Sequence, residues 1–167
     1  KKLAKEFLTD PVVIEVTNQR DHVEKIEHQI VLVDEDKKSE LLSYLIGSRN
    51  ISQVLVFVNR KLEADDLVEN LNLDGLKASC IHGDIRQSSR ALALRKFKEK
   101  ELRVLVCTDI AARGIDIENL PCVINFALPE TINDFTHRVG RTARAGNDGV
   151  AITLLSVKDY KLMAEIE

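Results

Sequence analysis

Cysteine is scarce and scattered in this chain of 167 residues. The three cysteines, Cys80, Cys107 and Cys122, lie far apart, each in or beside an apolar run. That spacing excludes a disulfide framework and a thiolate metal cluster. It reads instead as small, reduced core residues of a cytosolic protein. The four histidines show no ligand spacing either, so no metal site is expected. No apolar run reaches the roughly 20 residues that span a bilayer, which excludes a transmembrane helix and a membrane partner. No signal peptide is visible, and the first residue is Lys1 rather than Met, as expected of a fragment cut from a longer protein. The expected location is the cytoplasm, or the nucleus in a eukaryote. A basic excess is also missing, the net charge being −3. A dedicated nucleic-acid binder is usually basic, but a groove needs only a local basic lining, and the Lys and Arg residues here cluster around particular loops. Internal repeats and low-complexity segments are absent.

What is present is an ordinary globular balance, 44% hydrophobic and 31% charged. That is enough apolar material for one domain with its own core, and too much for a disordered chain. Short β-rich runs occur at 29–33, 54–58, 78–81, 104–107, 122–126 and 150–155, and several are apolar on almost every residue, as expected of strands covered on both faces. Between them lie helical stripes: Leu41, Leu42, Leu45 and Ile46; Ala64, Leu67, Val68 and Leu71; Ala93, Leu94 and Phe97. Alternating strand and helix predict an α/β fold, an open and mainly parallel sheet with helices on both faces and right-handed crossovers. Residues 1–21, interrupted by Asp10-Pro11, read as a lead-in or linker. Residues 22–167 form the domain, and 157–167 a closing helix. In such a sheet ligands bind beyond the carboxyl ends of the strands, which directs attention to the segments after them.

Four of those segments carry chemistry. Residues 137–146, HRVGRTARAG, space Arg138, Arg141 and Arg144 three apart. On a helix that stacks guanidiniums along one face, about 4.5 Å of rise apart. Such a row is either a solvated face paired with acidic neighbours or a seat for an anion. A polyphosphate suits the planar arginine fork best. Residues 104–117, VLVCTDIAARGIDI, run from a buried strand through Thr108-Asp109, a helix cap or ligand contact, to Arg113-Gly114 and then Asp116. Gly114 can take a positive φ or admit a ligand close to the backbone. Asp116, just past the turn, suits a ribose hydroxyl or an arginine. In residues 81–90, IHGDIRQSSR, Gly83 marks a turn and Asp84 a helix cap. Gln87 and Arg90 then sit one turn apart, facing solvent or a phosphate at a helix start. Asn59, Arg60 and Lys61 follow a strand directly and read alone as surface polarity.

VLVFVNRK, IHGDIRQSSR, VLVCTDIAARGIDI and HRVGRTARAG, in this order and at these spacings, resemble motifs IV, IVa, V and VI of the DEAD-box RNA helicases. The DPVVIEV lead-in resembles the end of that family's interdomain linker. The chain is therefore identified as resembling the second, C-terminal RecA-like domain. The histidine opening HRVGR favours the DEAD-box over the DEAH branch. Ala143 departs from the family's usual glycine and keeps both flanking arginines.

The resemblance implies roles. Arg141 and Arg144 resemble arginines that reach the ATP γ-phosphate, Arg144 at the usual finger position. Arg113, Gly114 and Asp116 resemble the nucleotide and ribose contacts. His137, with Arg138, resembles the polar network to the partner domain. Gln87, Arg90 and Thr108 resemble RNA-backbone contacts; Asn59, Arg60, Gly83 and Asp84 are weaker members of the same groove. The chain lacks a G-x-x-x-x-G-K-[ST] loop, a D-E-A-D box and an adenine-reading glutamine segment; Asp34-Glu35-Asp36 has the wrong sequence and place. ATP and Mg²⁺ are thus expected mainly on an absent N-terminal RecA-like domain. The partners expected are RNA and that domain, with the fragment monomeric and inactive alone. Two other readings stay open: a DNA motor, and a non-enzymatic docking module of the same fold.

Overall fold

The computed structural model describes residues 26–142 and 149–159. The linker expected over 1–21 and most of the expected closing helix lie outside them. Six strands, β1 (Ile26–Leu32), β2 (Val54–Phe57), β3 (Ala78–Ile81), β4 (Val104–Cys107), β5 (Cys122–Asn125) and β6 (Gly149–Leu155), form one sheet in the order β1-β6-β5-β2-β4-β3. Every pairing is parallel. The helices are α1 (Lys38–Ser48), α2 (Lys61–Leu73), α3 (Gln87–Lys98), the single turn α4 (Asp109–Ala112) and α5 (Ile132–Val139).

Alternation along the central strands splits the core in two. Val54 and Val56, Val104 and Val106, Cys122 and Ile124, and Ile152 and Leu154 pack with Leu42, Ile46, Leu67 and Leu71 of α1 and α2. Leu55, Phe57, Leu105, Cys107 and Val123 point to the other face, onto Ala93 and Phe97 of α3 and Ala111 and Ala112 of α4. Each central strand is buried at all four positions, hence the near-continuous apolar runs. β1 begins three residues before its apolar run because it lies at the sheet edge. There, backbone pairing from Ile26↔Gly149 to Leu32↔Leu155 tolerates Glu27, His28 and Gln29.

The crossover helix after β2 lies on one face, and those after β3 and β4 lie on the other. Loops therefore diverge at the carboxyl end of β2, which opens a crevice where an α/β sheet binds its ligands.

Candidate functional site

At the crevice floor a row of side chains crosses the sheet: Cys107, Phe57, Asn125 and Thr153 are register partners in turn. Asn125 is fully buried and donates to Thr153 Oγ1 at 3.1 Å. Above this row lies Arg138, only 1% exposed. Its Nε and Nη2 donate to the two oxygens of Asp109, each at 2.6 Å. Nη1 donates to the Ala127 carbonyl at 2.6 Å and to Asn125 Oδ1 at 3.4 Å. Nη2 also donates to Asn59 Oδ1 at 2.9 Å. All five guanidinium protons are used, and the guanidinium carbon sits 5.1 Å from the Phe57 ring centre. Asn59 returns a bond to the Leu128 carbonyl at 2.7 Å. One buried arginine thus joins the segments after β2, β4 and β5.

This corrects the expected row of three stacked arginines. Helix α5 stops at Val139 with Gly140 as its cap. Arg141 lies beyond it, because Leu120 N–H binds the Arg141 carbonyl at 3.2 Å and Thr142 bridges to Leu120. Arg138 is buried at the cleft wall and bonded to Asp109, Asn125, the Ala127 carbonyl and Asn59. Arg141 is half-buried and donates to the Ile115 carbonyl at 2.8 Å. Arg144 lies outside the described residues.

A cleft of about 200 Å³ opens beside these groups, lined by Arg113, Gly114, Asp134, His137 and Arg141 among others. Gly114 has φ +76°, the left-handed conformation that favours glycine. Arg113 is exposed and its Nη2 meets Asp134 Oδ1 at 3.1 Å. Asp134 Oδ2 accepts from Thr131 Oγ1 at 2.7 Å. The Thr131 hydroxyl first, and the Arg113 guanidinium next, hold the Asp134 carboxyl below the ordinary carboxylate range. His137 is exposed at the rim.

A second hollow of about 580 Å³ lies between α3 and the loop after α4, lined by Gln87, Arg90, Arg95, Lys98, Gly114 and Asp116 among others. Arg90 is anchored to the Ala111 carbonyl at 2.6 Å, and Gln87 is exposed on the first turn of α3. Asp116 is paired with Lys98 at 3.1 Å rather than with an arginine, and its side chain is 94% exposed. Such a pair contributes only about 0–1 kcal/mol, so the carboxylate is readily released to a ligand.

Three cap expectations fail. Asp84 caps nothing: α3 starts at Gln87 behind Arg86, since Ile85 N–H turns back to the His82 carbonyl. Asp84 instead binds Lys61 at 2.6 Å, linking the exposed loops around Arg60 and Gly83. Thr108 makes no side-chain cap bond and is 9% exposed, and the Asp109 carboxylate is taken by Arg138. Asn59, which reads as surface polarity in sequence, is exposed and has both side-chain ends bound. Sequence reasoning also missed Asn125. A buried asparagine within the run CVINF requires a partner, and that was the available signal.

The structure also assembles Asp65, Cys80 and His82, whose ligand atoms lie within 4.8 Å of one another although their sequence spacing hides it. The geometry makes them a hydrogen-bond network. His82 Nδ1 accepts from Asp84 N–H at 3.4 Å, which places the ring proton on Nε2, 3.0 Å from Asp65. Cys80 Sγ donates to the same carboxylate at 3.3 Å.

The helicase conserved C-terminal domain family matches residues 36–146 of this chain. Over 167 residues the chain is 40% identical to the DEAD-box ATP-dependent RNA helicase CshA of Bacillus subtilis (strain 168), covering 100% of this chain and 34% of that protein. It is 41% identical to the ATP-dependent RNA helicase RhlB of Pseudomonas syringae pv. tomato (strain ATCC BAA-871 / DC3000), covering 99% of this chain and 42% of that one. The crystal structure of a DEAD box protein from the hyperthermophile Methanococcus jannaschii superposes with a TM-score of 0.80 at 38% identity, over 99% of this chain and 44% of that one. The chain thus spans well under half the length of the curated relatives it matches.

Proposed function

Because this chain belongs to the helicase conserved C-terminal domain family, in its DEAD-box branch, we propose that it is the second RecA-like half of an ATP-dependent RNA helicase and works only together with the first. The observation that carries this reading is the meeting of Arg113, His137 and Arg141 around one open cleft at the carboxyl edge of a parallel sheet, next to a separate basic hollow.

In this reading Arg141 and Arg144 reach the γ-phosphate of ATP held on the N-terminal domain, and Arg113, Gly114 and Asp116 contact the nucleotide and that domain. Arginines in this position stabilise charge on the phosphoryl group in transit. At the cleft the carboxylates of Asp109 and Asp134 are committed to Arg138 and Arg113. This domain therefore brings cations to ATP, and Mg²⁺ belongs to carboxylates of the other half. His137 stands at the rim to join the partner domain, and Arg138 acts behind it by fixing the loops in place.

Gln87 and Arg90, with Arg60 and the Gly83-Asp84 turn, would meet an RNA backbone, which positions a strand without reading its sequence. Thr108 is buried and would shape that groove rather than line it, while Asn59 is exposed with its side chain held by Arg138 and the Leu128 carbonyl. Closure of the two halves over ATP and RNA would bend the strand and disrupt a nearby duplex, and hydrolysis would part them. The domain would act as a monomer in the cytoplasm or nucleus.

The test is ATP hydrolysis with saturating RNA. The chain alone is expected to be inactive and the intact helicase RNA-stimulated. In the intact protein Arg144→Lys should lower turnover on the order of 10³-fold or more, with Arg141→Lys impaired less, because lysine keeps the charge but not the fork. Full activity of the chain alone, or normal turnover in Arg144→Lys, refutes this reading.

A further inference from the structure

Arg113 sits immediately after α4, next to a glycine in the left-handed conformation, with its side chain 67% exposed. A long side chain at such a place would ordinarily sample many rotamers. Here it is fixed at 3.1 Å to Asp134, which is itself 18% exposed and tied by its other oxygen to Thr131, the cap of α5. Helix α5 also carries His137 and leads through Arg138 to Arg141. Asp134 therefore refers the position of Arg113 to the element that carries the other cleft residues, and it does so from a position outside every helicase motif recognised in the sequence.

We propose that Asp134 is a positioning residue for interdomain closure, holding Arg113 at the mouth of the cleft in the orientation in which its guanidinium meets the nucleotide-bearing half. This rests on the reading of Arg113 as part of the interdomain site. The Thr131 hydroxyl and the Arg113 guanidinium keep the Asp134 carboxyl ionised over the neutral range, so the tether persists under working conditions. Without it Arg113 would be ordered only on closure, a loss of rotamer freedom that weakens every closed state by a modest factor.

The test is RNA-stimulated ATP hydrolysis by the intact helicase as wild type, Asp134→Asn, Arg113→Ala and the double variant. Asp134→Asn is expected to lower kcat/KM for ATP by about 2- to 10-fold, the cost of re-ordering one released arginine. In the Arg113→Ala background the same change should have no further effect, since residues that act through one another are non-additive. Wild-type kinetics in Asp134→Asn beside a defective Arg113→Ala would overturn the proposal alone. So would an Asp134→Asn defect that persists undiminished without Arg113. Wild-type turnover in Arg113→Ala would sink the reading of Arg113 and the proposal with it.

Discussion

Replacing Arg138 by alanine should unfold this domain far more readily than it alters any exposed surface. The guanidinium is 1% exposed and bidentate to Asp109, whose side chain is 25% exposed. Removing one partner of such a buried pair leaves an uncompensated carboxylate and costs about 3–5 kcal/mol. Asn59, Asn125 and the Ala127 carbonyl also lose a donor, which places the loss toward the upper end. For a domain of this size each kcal/mol moves the melting temperature by roughly 2–4 °C, so a fall of about 6–20 °C is expected. Arg138→Lys keeps the charge but offers three donors where five are used. It should fall in between, with about 1–3 kcal/mol lost per acceptor left unsatisfied. Asp109→Ala should be strongly non-additive with Arg138→Ala. Thermal and urea melts of the chain decide the matter. If Arg138→Ala melted within about 2 °C of wild type, the buried-hub account would be wrong and the arginine would have to face outward.

Two further expectations follow from the geometry. Arg90→Ala in the intact helicase should weaken RNA binding to a similar degree for unrelated sequences and flatten its salt dependence, because a backbone contact releases counterions and reads no base. Identical titrations for wild type and variant across a salt series would exclude that contact. Burial, reinforced by the neighbouring Asp65 carboxylate, pushes the Cys80 thiol up to about 12. A raised thiol pKa keeps the proton on below that value, so at pH 8 only about 10⁻⁴ of Cys80 is thiolate, and alkylation of the native protein should be correspondingly slow. Asp65→Asn should speed it. Labelling of native Cys80 as fast as in the unfolded chain, followed by mass spectrometry, would contradict the network.

The central strands were legible because burial on both faces leaves a nearly unbroken apolar run, and β4 begins and ends where its run does. Helix stripes were legible for the same reason: Leu42, Leu45 and Ile46, and Ala64, Leu67 and Leu71, are buried as their spacing requires. The start of β1 was not, because an edge strand is specified by the backbone of β6 rather than by its own side chains. The end of α5 was hidden too, since the contact that stops it comes from Leu120, far back in sequence. The burial of Arg138 was the least legible feature. A periodic row of arginines carries no sign of burial, and its acceptors are scattered among residues 59, 109, 125 and 127. The candidate site was thus legible as a set of segments but not as a division of labour between the arginine that builds the site and those that face its cleft.

The pairing of the first described strand with the last has a consequence for synthesis. Ile26 finds its partner only when Gly149 exists. At a ribosomal pace of about 5–20 residues per second, the roughly 120 intervening residues delay that edge by some 6–25 s. Through that interval Ile30, Val31 and Leu32 emerge as a strand with no neighbour, the kind of segment that joins with other chains. Strands β2 to β5 can assemble earlier, leaving the final strand to insert between β1 and β5. Ribosome stalling or premature termination just before Gly149 would therefore yield a chain with most of its core formed and two open edges, a substrate for chaperones and proteases rather than a slightly shortened helicase half.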